Sequence, residues 1–177
     1  HKATHAEFMP APRHKDCYAD KEPVRPATFA NTEENYAGRP AWVRAQRSSW
    51  HGVDGMYNKA THFAPFYRNY METVRAVDDS VGRLYAALKE TGQLDRTVIV
   101  FTSDNGLSLG ERRLFGKSTL FDESVRVPLW VRGPDVLPGQ DGRLTSNIDL
   151  APTMLAWARV RPPLGYIDGA TFSTSAS

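Results

Sequence analysis

The sequence predicts an α/β domain, and three observations support that prediction. Apolar residues recur at helical spacing from Arg68 to Thr91. An unbroken run of β-branched and aromatic residues follows from Thr97 to Thr102, and a similar run extends from Val125 to Val131. Because helix and strand alternate along the chain, the elements are typical of a sheet flanked by helices.

Composition limits the class of protein. The chain has 177 residues, of which 41% are hydrophobic and 24% charged, as in ordinary globular domains. The net charge is only +2 and the basic residues form no block, which argues against a nucleic-acid partner. The single cysteine, Cys17, excludes an intramolecular disulfide framework. No window approaches the ~18–20 apolar residues that a membrane span needs.

Residues 1–67 show no sustained periodicity and are predicted to form irregular loops. Two prolines within the first twelve residues prevent a helix there, which places His5 in an extended or looped segment. Short helical turns are predicted at about Asn31–Ala37 and Pro40–Ser48. An irregular segment of this length in a compact domain is usually functional.

Residues 68–160 are predicted to form the helix–strand core. The first helix ends at Gly92, a residue type typical of the position after a helix. Asp149 is predicted to N-cap the last helix, which runs to about Val160. Residues 161–177 form a tail of small polar residues.

The strand Thr97–Thr102 leads directly into Ser103-Asp104-Asn105-Gly106. Ligands of open α/β sheets bind just beyond the carboxyl ends of the strands. Carboxylate and amide oxygens suit Ca²⁺ or Mg²⁺, and Gly106 would allow a sharp turn. A turn that binds no ligand fits the same pattern. One Asp-Asn pair also supplies fewer than the about six to eight oxygens that Ca²⁺ takes.

Lys117 lies in Gly116-Lys117-Ser118, which suggests a phosphate-binding loop. That interpretation fails, because the motif GxxxxGK[ST] requires a glycine where the chain has Glu111. A lysine near a metal site could pair with an anionic substrate group, and a solvated lysine is the alternative. His5 likewise allows two interpretations, a functional side chain or a structural or solvated one, and a lone loop histidine is usually structural or solvated.

Several short blocks of sequence lie one after another along Lys2–Gly169. The blocks are Lys2–His5 with Phe8, Val77–Gly82, Thr97–Gly106, Gly110–Lys117, Arg126–Leu129 and Asn147–Thr153. Together they resemble the C-terminal portion of the catalytic domain of type I sulfatases, in the alkaline phosphatase superfamily. Within that family, the blocks most resemble those of bacterial sulfatases that act on sulfated carbohydrates. The resemblance implies a partial alkaline-phosphatase-like mixed sheet flanked by helices, with the N-terminal half of the domain absent from residues 1–177.

The resemblance also implies a role for individual residues. Asp104 and Asn105 match a pair that binds the active-site Ca²⁺, whose remaining ligands would lie outside this chain. Lys117 matches a catalytic lysine that bridges the sulfate and the nucleophile. His5 matches a histidine that holds a sulfate oxygen or assists the leaving group.

Two further residues in the matching blocks, Lys2 and Arg112, are expected to bind substrate. Arg112 stands where many relatives have histidine, which disfavours a proton-transfer role but leaves anion binding open.

The nucleophile of the family is a formylglycine made within a Cys/Ser-x-Pro-x-Arg motif. No proline of this chain has a cysteine or serine two residues before it. Cys17 is followed by Ala19 and Lys21 where the motif requires proline and arginine. We therefore expect no nucleophile in this chain and no activity from the chain alone.

The implied activity is hydrolysis of a sulfate ester on a small molecule or polysaccharide. Two alternatives remain: a phosphodiester or phosphonate hydrolase of the same superfamily, and a non-catalytic relative that binds anions or sugars. The family habit suggests a periplasmic or secreted protein, and the start at His1 suggests a cut within a longer one. In that case, strands without their neighbours are expected to leave an exposed edge and an apolar face.

Overall fold

The computed structural model describes residues 3–5, 7–30, 32–50, 52, 62–161, 165 and 167–172. The chain divides into two compact units. The first unit is His1–Thr91 with Asn105–Val127, and the second is Gly92–Asp104 with Pro128–Ser177. The chain therefore passes from the second unit back to the first between Asp104 and Asn105.

Helices and short strands alternate through both units, and the predicted α/β class is confirmed. The α-helices are α1 (Ala41–Ala45), α2 (Phe63–Glu90), α3 (Asp122–Val125) and α4 (Leu150–Trp157). The strands are β1 (Ile99–Thr102), β2 (Ser108–Leu109), β3 (Phe115–Gly116) and β4 (Leu129–Arg132). Turns of 3₁₀ helix lie at Pro12–His14, Ala27–Ala30, Glu33–Tyr36, Gln46–Ser48, Leu94–Arg96, Glu111–Arg113 and Asn147–Asp149.

The short turns predicted in the N-terminal region are confirmed at Glu33–Tyr36, Ala41–Ala45 and Gln46–Ser48, while Asn31 lies outside the described residues. None of the described helices combines the length and the apolar character that a bilayer crossing requires.

The core of the first unit is a cluster of aromatic side chains on the N-terminal half of α2. Its members are Phe8, Phe29, Phe63, Phe66 and Phe115. The ring centroids of Phe66 and Phe115 are 4.4 Å apart, and those of Phe29 and Phe63 are 4.6 Å apart. Aromatic pairs at such distances contribute about 0.5–1.5 kcal/mol beyond the burial of their area. The cluster thus fixes distant segments of the chain against one helix.

Helix α2 begins at Phe63, five residues before the predicted start. Pro65 falls in the first turn, where its missing N–H is not needed for an intrahelical bond. The helix ends at Glu90, and Gly92 follows with a positive φ of 66°. The predicted C-terminus is therefore confirmed to within one residue.

In the second unit β1 pairs antiparallel with β4, and Phe101 lies opposite Trp130. The predicted strand Val125–Val131 is wrong in its first half, because Asp122–Val125 is a helical turn and the strand begins at Leu129. Two acidic residues in the first turn of α3 favour that helix. Pro128 lacks the donor that a strand ladder needs, so the strand starts directly after it.

Asp149 occupies the predicted N-cap position of α4, but its side chain makes no capping hydrogen bond to that helix. Ser146 is the N-cap of the 3₁₀ turn Asn147–Asp149 that precedes α4, and Asp149 is the third residue of that turn in a capping box. Its carboxylate accepts the backbone N–H groups of Ser146 and Ala170, each at 2.8 Å. Asp149 therefore stabilises the start of α4 and joins the chain near residue 170 to it.

Replacement of Asp149 by asparagine is expected to lower the melting temperature at neutral pH. The N–H groups of Ala170 and Ser146 hold the pKa of this carboxyl below its ordinary value of 3.8. A lowered folded-state pKa stabilises the fold above the unfolded pKa, and this contribution is lost as the pH falls through the folded one. The difference in Tm between Asp149→Asn and the parent should therefore shrink below about pH 4. Asp135→Asn, at an exposed position of the same unit, is the control.

Apolar side chains are exposed on both units. Among the described residues, the sheet of β1 and β4 has two strands, and the Trp130 side chain is 73% exposed. On the C-terminal half of α2, Val81, Leu84 and Tyr85 are exposed, Leu84 by 66%. Such surfaces are typical of faces that another segment covers.

Candidate active site

The tip of β1 presents Asp104 at the edge of the second unit. The side-chain amide of Asn147 donates to the backbone carbonyls of Ser103 and Asp104, each at 3.1 Å. The backbone of the tip is thereby fixed, while Asp104 is itself exposed. A carboxylate with a fixed backbone and an open side chain is suited to bind a cation.

Asn105 and Lys117 lie together in the first unit, although twelve residues separate them. The Lys117 ammonium donates to the side-chain oxygen of Asn105 at 2.9 Å. The side-chain N–H₂ of Asn105 donates to the carbonyl of Gly106 at 2.7 Å. The structure thus brings one predicted metal ligand and the predicted catalytic lysine into direct contact.

Gly106, which follows Asn105 in the first unit, packs closely against helix α3. Its N–H donates to the carbonyl of Ser124 at 2.9 Å. A Cβ at this position would lie 2.2 Å from the carbonyl oxygen of Glu123 and 2.8 Å from that of Arg126. Gly106 does not have a positive φ, so close approach rather than a left-handed turn requires the glycine.

A hairpin of β2 and β3 delivers Lys117, which directly follows β3. Ser108 pairs with Gly116, and Leu109 pairs with Phe115. The connecting loop begins at Gly110, where φ is +109° and a Cβ would lie 2.8 Å from the Phe29 ring. The exposed lysine therefore directly follows a hairpin that is packed on the aromatic core.

Arg112, predicted to bind substrate, already has partners within the protein. Its guanidinium lies 3.0 Å from the carboxylate of Glu123 and 4.0 Å from the centre of the Phe121 ring. Its backbone N–H donates to the hydroxyl of Thr28 at 3.0 Å, and its φ is +53°. These contacts give Arg112 a structural role in the loop, and a role toward substrate stays a prediction.

The segment that contains His5 is anchored by its neighbours to α2. The Phe8 ring packs on Phe66 and Tyr70, with centroids 4.9 Å and 5.3 Å apart. The Phe8 N–H donates to the carbonyl of His5 at 3.3 Å. Burial raises the pKa of the Tyr70 hydroxyl, and a hydrogen bond with Thr4 opposes that shift.

The His5 side chain is exposed, and the segment that carries it is anchored within the first unit. Lys2, also predicted to bind substrate, lies outside the described residues.

The donor set at the strand tip fits a hard divalent cation but does not complete its coordination. Asp104 and Asn105 offer oxygen atoms, which Ca²⁺ and Mg²⁺ prefer. Within the described part of the chain, no group of three or more His, Cys, Asp or Glu side chains is arranged to hold a metal ion. Other ligands would have to come from elsewhere.

Three residues of this region escaped the sequence analysis: Asn147, Glu123 and Ser124. Each acts through a contact with the backbone or side chain of a residue distant in sequence, which no local pattern reports. Asn147 had a weak signal, since it opens one of the ordered blocks.

Comparison with known proteins identifies the family. The profile of the sulfatase family matches residues 3–160, so the chain belongs to the sulfatase family. An N-acetylglucosamine-6-O-sulfatase of Bacteroides thetaiotaomicron is 40% identical over 103 residues, which is 57% of this chain and 18% of that enzyme. The predicted resemblance to carbohydrate sulfatases is thus confirmed.

Two solved structures are similar in fold. One is a protein in complex with its substrate, D-glucosamine-2-N,6-O-disulfate, with a TM-score of 0.76 and 28% identity over 96% of this chain and 45% of that one. The other is a phosphonate monoester hydrolase from Silicibacter pomeroyi, with a TM-score of 0.68 and 30% identity over 85% of this chain and 30% of that one. The chain spans less than half of either structure and about a fifth of the Bacteroides sulfatase.

Proposed function

We propose that the protein containing this chain hydrolyses a sulfate ester on a carbohydrate, and that residues 1–177 are the C-terminal portion of its catalytic domain. The observation that supports this most is the contact between Lys117 and Asn105, which joins a cationic side chain to a candidate metal ligand. Membership of the sulfatase family and the similarity to a structure bound to a sulfated glucosamine favour the substrate class.

The residues of this chain would act on both ends of the scissile bond. The Lys117 ammonium would bind the anionic sulfate oxygens and stabilise their charge in the transition state. His5 would hold a sulfate oxygen or donate a proton to the departing sugar oxygen. Asp104 and Asn105 would hold a Ca²⁺ ion, which supplies Lewis-acid stabilisation of the sulfate when bound.

The nucleophile, a formylglycine by family resemblance, would come from polypeptide outside residues 1–177. The proposed location, periplasmic or secreted, also follows from the family resemblance alone.

The function is tested on the complete natural polypeptide with three substrates: a glucosamine 6-sulfate, an aryl sulfate and a phosphonate monoester. We expect the highest activity on the sulfated sugar. Chelation should abolish this activity, and added Ca²⁺ should restore it. Turnover by the 177-residue chain alone would contradict the need for an external nucleophile.

A phosphonate monoester hydrolase is the second candidate, because one such enzyme is among the similar structures. A clear preference for the phosphonate monoester would favour it over the sulfatase. Binding of the sulfated sugar without turnover of any of the three esters would indicate a non-catalytic relative.

A further inference from the structure

We propose that Ser124 is a positioning residue of the candidate site, since it holds in register the two segments that present Asn105 and Lys117. The proposal rests on the proposed function, because it takes those two side chains as part of the active site. Ser124 lies in the short helix α3 and is 3% exposed. It touches neither substrate nor cation in this role and acts through its neighbours.

The backbone of Ser124 holds the first segment. Its carbonyl accepts the N–H of Gly106 at 2.9 Å, one residue after Asn105. A Cβ on Gly106 would lie 2.2 Å from the carbonyl oxygen of Glu123, so the two backbones are closely packed against each other. Any displacement of α3 must therefore move the residue beside Asn105.

The hydroxyl of Ser124 holds the second segment. Its Oγ lies 2.7 Å from the Thr119 hydroxyl and 3.3 Å from the Ser108 hydroxyl, and it donates to the Gly116 carbonyl at 3.5 Å. Gly116 and Thr119 flank Lys117 along the chain. A serine hydroxyl has one donor and two acceptor sites, so these three contacts use its full capacity.

The network is buried, which makes its loss consequential. Ser108 is 1% exposed, and without Ser124 its hydroxyl would lose a partner in a site that water does not reach freely. We expect the loop to move until these groups find other partners, which would displace Lys117 from Asn105. A displacement of about 1 Å in a reacting geometry can cost about 10²-fold in rate.

The helix should survive this change. The ion pair between Arg112 and Glu123, at 3.0 Å, joins α3 to the hairpin independently of the hydroxyl. The test variant Ser124→Ala therefore removes one group and leaves the element in place.

The experiment measures Ser124→Ala in the complete natural polypeptide, by kinetics on a sulfated sugar and by crystallography. The expected kcat/KM falls by about 10- to 100-fold, mostly through kcat. The distance from the Lys117 ammonium to the Asn105 side-chain oxygen, now 2.9 Å, is expected to exceed hydrogen-bonding range. Thr119→Val, which removes only one of the three contacts, should show the same changes to a smaller degree and serves if Ser124→Ala does not fold.

Thr73→Val is the matched control, because it removes another hydroxyl at a residue that is 3% exposed. That hydroxyl donates to the Tyr70 carbonyl at 2.7 Å within α2. Its loss should lower Tm while kcat/KM stays within about twofold.

Equal kinetic effects for Ser124→Ala and Thr73→Val would overturn the proposal, as would a loss of kcat in Ser124→Ala with the Lys117–Asn105 distance retained. If the parent protein turns over no sulfate ester, the proposed function fails, and the crystallographic distance still decides whether Ser124 positions Lys117.

Discussion

Replacement of Lys117 by methionine is expected to lower kcat for sulfate ester hydrolysis by about 10²- to 10³-fold. Removal of one preorganised group that stabilises transition-state charge has effects of that size. Methionine is unbranched and keeps much of the length of the side chain, so the change isolates the charge and its hydrogen bond to Asn105. Because Lys117 is exposed, the free energy of unfolding should change by no more than about 0.5 kcal/mol.

Lys117→Arg is the matched variant for this test. It retains the positive charge but replaces a compact ammonium by a planar guanidinium of different reach. We expect it to recover part of the lost rate and more of the substrate affinity, which would show as a smaller change in KM than in kcat. If Lys117→Met retains kcat/KM to within about threefold, Lys117 is a solvated lysine and has no catalytic role.

The elements that the sequence predicted well are those with long, regular patterns. The helical spacing of apolar residues gave α2 to within one residue at its C-terminus. Its start was missed because the apolar pattern was taken to begin at Arg68, whereas Phe63 and Pro65 belong to the first turn, where a proline is compatible with a helix. The run Val125–Val131 was misread because a short apolar run does not distinguish a helical turn from a strand.

The candidate site was predictable where its residues are contiguous in sequence and unpredictable where they are not. Asp104 and Asn105 stand out as an adjacent pair after a strand. The contact of Asn105 with Lys117 depends on a hairpin of two-residue strands, closed by a loop in which Arg112 and Arg113 both have positive φ. Arginine rarely adopts that conformation, so the residue types in this loop do not predict its backbone path.

Asp149 shows the same limit in the second unit. Its position before a helix suggested an N-cap, but the carboxylate bonds to the N–H groups of Ser146 and Ala170 instead. The second partner lies 21 residues away and is fixed by tertiary packing. The kind of residue was informative about its structural role, while the identity of the bonded groups required the fold.

Replacement of Asp104 by asparagine is expected to weaken Ca²⁺ binding by at least about 100-fold in the complete protein. Even residues that only orient metal ligands change metal affinity about 10- to 100-fold, so loss of a charged ligand should reach or exceed that range. The exposed carboxylate is the charged group of the pair, whereas the Asn105 side-chain oxygen is neutral and already accepts from Lys117. Calorimetric titration with Ca²⁺ measures the affinity directly, without reference to turnover.

The control for this prediction is Asp135→Asn, which removes an exposed carboxylate from the same unit at a position with φ of +62°. Asparagine tolerates that conformation, so the fold should be unaffected and the Ca²⁺ affinity unchanged. A lower affinity in Asp104→Asn should also raise the Ca²⁺ concentration needed for half-maximal sulfatase activity by a similar factor. Equal Ca²⁺ affinities for the two variants would mean that the Asp-Asn-Gly sequence is a turn, stabilised by the hydrogen bonds of Asn147 to its backbone, and not half of a metal site.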